Sequence, residues 1–301
     1  MRSSEDTICV VIINYHSQAL VNDCLNHLNY LQRKDLEYLI VDNSEHPDTD
    51  LIKSKHRDVL IHRSNRNLGF AGGCNVGLRH AMQEKNRYVL LLNPDTRFEQ
   101  DFIAPLLAAL EAIPNAGMAG PLIFEDAELR RPWQGIGRLN WWLGGPIQRW
   151  KKAKYDYNEP IDVPFLSGCA LLLRLDAVKS VGLMDERYFL YFEDTDYSRR
   201  FICCGWPVIL VPQAQILHAQ SSTIGRHSRA QVYFLSRNRI WLTRRWAPRH
   251  QFAFFMLFNT LLKIPSMLVY GLWRRRIDIA GAFLAGYLDG LLKYVEKSDG
   301  E

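Results

Sequence analysis

The sequence has no C-x-x-C pair, no G-x-G-x-x-G fingerprint, no G-K-[ST] ending to a glycine-rich loop and no internal repeat. It also has no acidic residue between Arg226 and Arg276, a stretch that holds eleven basic ones. The first two absences exclude a dithiol redox motif and the usual dinucleotide fingerprint, and the third excludes a phosphate loop of the G-K-[ST] kind. The six cysteines (Cys9, Cys24, Cys74, Cys169, Cys203 and Cys204) are too sparse in 301 residues for a disulfide scaffold. They read as free thiols in a reducing compartment. The apolar run that follows Met1 is short and lacks a small-residue cleavage pattern, so the expectation is no signal peptide and a cytoplasmic location.

What is present is an ordinary globular composition with an uneven charge distribution. Apolar residues make up 48% and charged residues 23%, which excludes disorder, collagen and coiled coil. The net charge of +5 divides unequally. Residues 1–225 hold 24 basic and 27 acidic side chains, while residues 226–301 hold 13 and five. A near-neutral body therefore carries a basic, apolar tail.

Ile8–Ile13 is a continuous apolar, β-branched run, the pattern of a strand buried on both faces. Leu20–Leu31 has helical spacing, and strands are expected at Leu36–Val41, Val59–Ile61 and Tyr88–Leu92. Gly69–Met82 opens with glycines and continues as a helix. The order β-α-β-β-α-β predicts an α/β fold with a mostly parallel central sheet flanked by helices. Further on, Phe102–Leu110 reads as a helix, and Gly117–Phe124, Ser167–Leu173 and Val208–Val211 read as strands. Residues 132–164 are irregular and tryptophan-rich; their rings, Trp133 among them, form either satellite core or an acceptor-side wall. The expected division is a catalytic domain over 1–245, including this excursion, and a helical tail over 246–301.

Polar groups follow several of the expected strands: Asn14-Tyr15, Asp42-Asn43, Asn93-Pro94-Asp95 and Glu193-Asp194. In open α/β sheets the site forms beyond the carboxyl ends of the strands. Each group alone is also an ordinary cap or turn. The loop Asn65–Gly77 has glycines at 69, 72, 73 and 77, which permit close backbone approach to a ligand or simply a tight turn. Asp95, directly after a strand, is a turn residue or a carboxylate sharing a hard divalent cation with phosphate oxygens. Glu193, Asp194 and Asp196 either cap the helix that carries Arg199 and Arg200 or include a general base. His218 is a metal ligand, a phosphate donor or a packed core histidine.

Taken in order, the segments Val10–Tyr15, Val41–Ser44, Asn65–Gly77, Leu92–Asp95, Ser167–Ala170 and Phe189–Asp196 resemble those of family 2 inverting glycosyltransferases of the GT-A fold. Within that family the chain is most similar to bacterial rhamnosyltransferases of cell-surface polysaccharide and O-antigen assembly. The resemblance covers roughly residues 7–245. It implies that Asn14, Tyr15, Asp42, Asn67, Gly69, Asn93 and Asp95 border the nucleotide-sugar donor. It implies Asp95 as the carboxylate for Mg²⁺ or Mn²⁺, with His218 beside the metal or diphosphate. Asn93 stands where many relatives have the first Asp of a D-x-D motif. Asp194 would be the catalytic base and Glu193 its acidic neighbour. Ser167 and Gly168 would line the acceptor side. The implied reaction is transfer of L-rhamnose from dTDP-L-rhamnose, with inversion, to a polyprenyl-diphosphate-linked saccharide. The alternatives are a UDP- or GDP-sugar donor, or a catalytically silent assembly partner.

Phe252–Trp273 is 22 residues long and carries one formal charge, Lys263. The length matches a bilayer, but Asn259, Lys263 and Pro265 near its middle make crossing costly. An interfacial helix pair fits better, anchored by Trp246, Trp273 and the flanking arginines against the cytoplasmic membrane surface. The other reading is core packing or a surface for a homodimer. Long apolar runs between the basic residues argue against a nucleic-acid groove.

Overall fold

A computed structural model describes residues 7–46, 49–126, 131–134, 137–148, 159–218 and 228–294. In chain order the elements begin β1 (Ile8–Asn14), α1 (Gln18–Tyr30), β2 (Leu36–Asp42), α2 (Asp50–Lys55), β3 (Leu60–Arg63), α3 (Gly69–Gln83) and β4 (Tyr88–Leu92). Next come β5 (Thr96–Arg97), α4 (Ile103–Ala112), β6 (Met118–Asp126), β7 (Arg131–Gln134), β8 (Gly137–Asn140), β9 (Gly145–Gln148), β10 (Ile161–Asp162) and β11 (Ala170–Arg174). The chain continues through α5 (Leu175–Val181), α6 (Glu193–Cys203), β12 (Val208–His218), α7 (Arg229–Trp246), α8 (Arg249–Phe258), α9 (Ile264–Trp273) and α10 (Ile277–Leu292).

The chain forms two compact units. The first comprises residues 1–138, 148–189 and 193–223 and contains the main sheet, whose strand order is β10-β12-β6-β11-β4-β1-β2-β3. β1 runs parallel to β2 and β4, and β2 runs parallel to β3. β11 runs antiparallel to both β4 and β6, so the sheet is mixed at its centre. Alternate side chains of β1 enter two separate cores. Ile8, Val10 and Ile12 join one with Leu25, Leu28 and Phe102, while Cys9 and Val11 join the other with Cys74, Leu78 and Tyr197. Covering both faces is why the run is apolar throughout rather than alternating.

α3 lies close enough to β1 that a side chain at Gly77 would collide with it. A Cβ there would sit 2.3 Å from Val11 Cγ1. β12 is longer than the expected 208–211 and reaches His218 after a register shift between Val211 and Gln215. Its far end pairs antiparallel with β5, opposing His218 to Thr96.

The second unit comprises residues 139–147, 190–192 and 224–301. Here α7 packs along α10. Its Ile240 joins Phe255 and Tyr287 in a small apolar core. The stretch expected as an interfacial helix pair is one continuous helix, Arg249–Trp273, with a π-turn at Asn259–Lys263. The π-turn absorbs Pro265, whose ring and missing N–H disrupt regular α-helical bonding. Asn259 Nδ2 and Thr260 Oγ1 donate to the carbonyls of Phe255 and Met256, at 2.8 and 2.9 Å, and satisfy acceptors there.

Gly77→Ala is expected to lower stability by about 1–3 kcal/mol, because β1 is packed on both faces and has nowhere to move. Urea unfolding followed by circular dichroism checks this; an unchanged midpoint contradicts the packing described.

Candidate active site

The first unit gathers polar side chains at the carboxyl ends of its strands. The β1–β2 register sets Asn14 level with Asp42. Asn14 Nδ2 donates to Asp42 Oδ1 at 3.0 Å, and Ser44 N donates to the same oxygen, also at 3.0 Å. Asn14 Oδ1 accepts from Ser17 N. Asp42 is fully buried and its Oδ2 has no protein partner, so this carboxylate keeps acceptor capacity for a ligand hydroxyl or base N–H. Tyr15 is partly exposed beside it, its hydroxyl 3.5 Å from Glu45.

Asn43 extends this network to the glycine loop. Its Nδ2 donates to Gly69 O at 2.8 Å, while Gly69 N donates to Asn67 Oδ1 at 2.9 Å. Gly69 has φ +71°, and a Cβ there would lie 2.4 Å from Phe189 O. Both facts require glycine. Phe70 N donates to that same Phe189 carbonyl at 2.7 Å. The loop is thus tied to the segment that leads into Glu193 and Asp194.

Asp194 and Glu193 open α6 but occupy different surroundings. Asp194 is partly buried and accepts from Gly168 N (2.9 Å) and from Thr195 N (2.6 Å) and Oγ1 (3.2 Å). These donors and the helix N-terminus favour its charge, yet burial outweighs them and raises its pKa above the ordinary carboxylate value. Glu193 is 5% exposed and its Oε2 has no protein partner. Burial first, and then the neighbouring Asp194 charge, push its pKa well up. Asp196, the third acid of the cluster, is committed to Arg200, 3.2 Å away.

Gly168, which donates to Asp194, links this cluster to the β4 end. Cys169 O, next in the chain, accepts from Asn93 N at 2.8 Å, and Ser167 Oγ accepts from Cys169 N at 3.2 Å. Asn93 and Asp95 lie in the turn between β4 and β5, where Asn93 O accepts from Thr96 Oγ1 at 2.8 Å. The β5–β12 pairing then brings His218 Nε2 to 3.2 Å from Asp95 Oδ1. The oxygen–nitrogen pair could hold a divalent cation if other ligands completed its shell. Among the described residues no group of three or more His, Cys, Asp or Glu could hold a metal by protein alone. Cys169 does not add to the pair, because burial raises its thiol well above the ordinary value.

One connected set of contacts in the first unit therefore joins Asn14, Asp42, Gly69, Gly168, Asp194, Asn93, Asp95 and His218. Trp133 lies in β7, but its side chain is outside the described residues. Sequence reasoning named Asn43 only as a strand end and missed its bond to Gly69. It missed Asn238 altogether. In the second unit Asn238 is fully buried, and its Nδ2 donates to Leu190 O at 2.7 Å and Tyr191 O at 2.9 Å. Phe189, Tyr191 and Phe192 all have φ between +63° and +71°, a costly backbone for such residues. An asparagine inside an arginine-rich helix gives no sequence signal of this bond.

Comparison with known proteins places the chain. The family model "Glycosyl transferase family 2" matches residues 9–182. The N-acetylglucosaminyl-diphospho-decaprenol L-rhamnosyltransferase of Mycobacterium tuberculosis is 27% identical over 279 residues, 82% of this chain and 91% of that protein. The dTDP-rhamnosyl transferase RfbF of Shigella flexneri is 25% identical over 258 residues, 79% of this chain and 80% of that protein. Among solved structures, mannosyltransferase PcManGT from Pyrobaculum calidifontis, in complex with GDP-Man and Mn²⁺, aligns with TM-score 0.58 at 13% identity. That alignment covers 96% of this chain and 88% of that one. GalNAc-T7 with UDP, GalNAc and Mn²⁺ aligns with TM-score 0.61 at 15% identity, covering 77% of this chain and 48% of that one. The fold is GT-A, as the sequence resemblance implied.

The raised pKa of Glu193 has a consequence for stability. The folded state binds this proton more tightly than the unfolded state, so stability falls as pH rises from the ordinary value of 4.5 toward the folded one. Glu193→Gln removes the titration. Melting temperatures measured from about pH 5 to about pH 8 should decline less for the variant than for the parent. Parallel profiles would contradict the buried, protonated Glu193.

Proposed function

We propose that this chain, which belongs to glycosyl transferase family 2, transfers L-rhamnose from dTDP-L-rhamnose to a polyprenyl-diphosphate-linked saccharide with inversion at the anomeric carbon. The observation that carries the reading is the separation of environments between two adjacent carboxyls. Asp194 is oriented by Gly168 and Thr195 and reaches the surface, whereas Glu193 is buried with one oxygen unpartnered. Asp194, its pKa raised by burial, accepts the proton of the acceptor hydroxyl as that oxygen attacks the sugar. The bond to the departing nucleoside diphosphate breaks on the opposite face, and a single displacement inverts the centre.

Asn14, Tyr15, Asp42, Asn67 and Gly69 bind and orient the nucleotide, with the unpartnered Asp42 Oδ2 as a specific acceptor. Asp95 and His218 would hold Mg²⁺ or Mn²⁺, which supplies charge neutralisation at the leaving diphosphate. Asn93 fixes the turn that carries Asp95 through its bonds to Cys169 and Thr96. Ser167 and Gly168 would line the acceptor side. The two rhamnosyltransferase relatives support the sugar, and the mycobacterial one supports a lipid diphosphate acceptor.

A lipid-linked acceptor fits the tail. The Arg249–Trp273 helix is long and apolar enough to cross a membrane, and little of it is buried within the protein. Leu257, Leu261, Leu268 and Leu272 are all exposed. Arg249 at one end and Arg274–Arg276 at the other would meet anionic headgroups. We place the chain at the cytoplasmic face of the bacterial inner membrane.

Asp194→Asn should lower transfer by about 10²–10⁴-fold while the protein still binds donor. Donor hydrolysis across dTDP-, UDP- and GDP-sugars should favour dTDP-L-rhamnose and cease on chelation of divalent metal. Undiminished transfer by Asp194→Asn would remove the base assignment, and a preference for a UDP-hexose would replace the donor. Membrane attachment has its own test. The triple variant Leu261→Gln/Leu268→Gln/Leu272→Gln should lose partition into phosphatidylglycerol vesicles by on the order of 100-fold or more, from the lost burial of three leucines. Equal sedimentation with vesicles would contradict it.

A further inference from the structure

The second unit contains a cavity of about 430 Å³ lined by residues of α7, α10 and the Arg249–Trp273 helix. Its walls are mainly apolar, with Phe255, Phe258, Met267 and Phe283 prominent, and two cations, Arg239 and Lys263, line it as well. The volume lies in the range of small-molecule sites, roughly 300–1,000 Å³.

The cations are what make this more than a packing defect. A guanidinium has five N–H donors. Arg239 uses one within the protein, to Leu143 O at 3.3 Å, and its plane lies 5.4 Å from the Phe192 ring centroid. Among the described residues no carboxylate pairs with it or with Lys263, and the sequence has no acid from Arg226 to Arg276. Burial alone moves the Arg239 guanidinium, pulling its pKa below the ordinary value. Arg174, in the first unit, shows the usual solution. It is buried, and it donates to Ala116 O, Leu110 O and Tyr88 OH. Among the described residues Arg239 has no such set of acceptors. Arg239 is partly buried and Lys263 exposed, and an anion seated in the cavity between apolar walls would pair with both.

The walls select which anion. Inorganic phosphate would leave the phenylalanine and methionine surfaces wet, and a neutral lipid would leave the cations unpaired. An amphiphile with a phosphate head and a branched apolar chain satisfies both. The exposed apolar helix that forms one wall would bring the cavity to a lipid surface. We propose that this cavity seats the diphosphate end of the polyisoprenyl-diphosphate acceptor, with Arg239 and Lys263 on phosphate oxygens and the aromatic walls on the first isoprene units. The assignment rests on the lipid-linked acceptor proposed above.

The test is calorimetric titration of the full-length protein with farnesyl diphosphate, inorganic diphosphate and farnesol. Farnesyl diphosphate should bind at least about tenfold more tightly than either of the others, since each lacks half of the recognition. Arg239→Gln should weaken that binding by about tenfold or more, and Arg239→Lys by less. Lys263 is exposed, so Lys263→Gln tests the site without risk to the fold and should also weaken it. Unfolding transitions recorded alongside separate loss of the site from loss of the protein. Equal affinity of Lys263→Gln and the parent, or equal affinity for farnesyl diphosphate and inorganic diphosphate, would overturn the proposal. So would displacement of bound farnesyl diphosphate by a soluble short-chain phosphatidylglycerol, which would mark a general membrane-lipid contact. Sugar transfer to a polyprenyl-linked acceptor by the parent protein, assayed in the same preparation, keeps the two readings apart. Transfer without farnesyl diphosphate binding removes the cavity assignment alone, and no transfer to any lipid acceptor removes the reading it rests on.

Discussion

A sheet covered on both faces has room for polar chemistry only at its strand ends, and the rest of the active site follows from that constraint. Every residue of β1 from Ile8 to Ile12 is buried, with neighbours alternating between two cores. The register then aligns the strand ends. Asn14 stands opposite Asp42, Ile12 opposite Leu92, and Ala170 opposite Leu92 from the antiparallel side. The candidate site residues Asn14, Asp42, Asn93, Asp95 and Gly168 therefore come together because the strands beneath them are packed in fixed register. A one-residue slip would turn each of these side chains to the other face.

The central strands and their polar termini were legible because burial on two faces leaves an unmistakable apolar run. Ile8–Ile13 and Tyr88–Leu92 needed no tertiary information. Strand direction was not legible. Ala170–Arg174 has the same apolar composition whether it runs parallel or antiparallel, and only its pairing to β4 and β6 decides. β12 was read as ending at Val211 because Pro212, Gln213 and Gln215 interrupt the apolar pattern. The strand continues through that irregularity. Its extension is what delivers His218 to Asp95, so sequence supplied the residue while the register shift supplied the contact.

Two adjacent acids in one helical turn illustrate how burial separates side chains of like chemistry. By resemblance Asp194 is the candidate base and Glu193 its acidic neighbour. In the fold Asp194 meets the Gly168 and Thr195 donors, and Glu193 faces the interior with one oxygen unpartnered. Desolvation disfavours the ionised form of both, most severely for Glu193. The backbone leading to them is held in left-handed conformations at Phe189, Tyr191 and Phe192, and the Asn238 amide binds two of its carbonyls. Strain of this kind persists only where surrounding contacts over-determine it. The basic tail, legible as charge and hydropathy, lies in a compact unit with its own small core.

The central claim is direct displacement by an acceptor oxygen deprotonated at Asp194, with no sugar bonded to the protein at any stage. Nuclear magnetic resonance of the disaccharide product reads this from the anomeric centre. The account predicts a configuration opposite to that of the sugar in the nucleotide donor. Retention of the donor's configuration would contradict it.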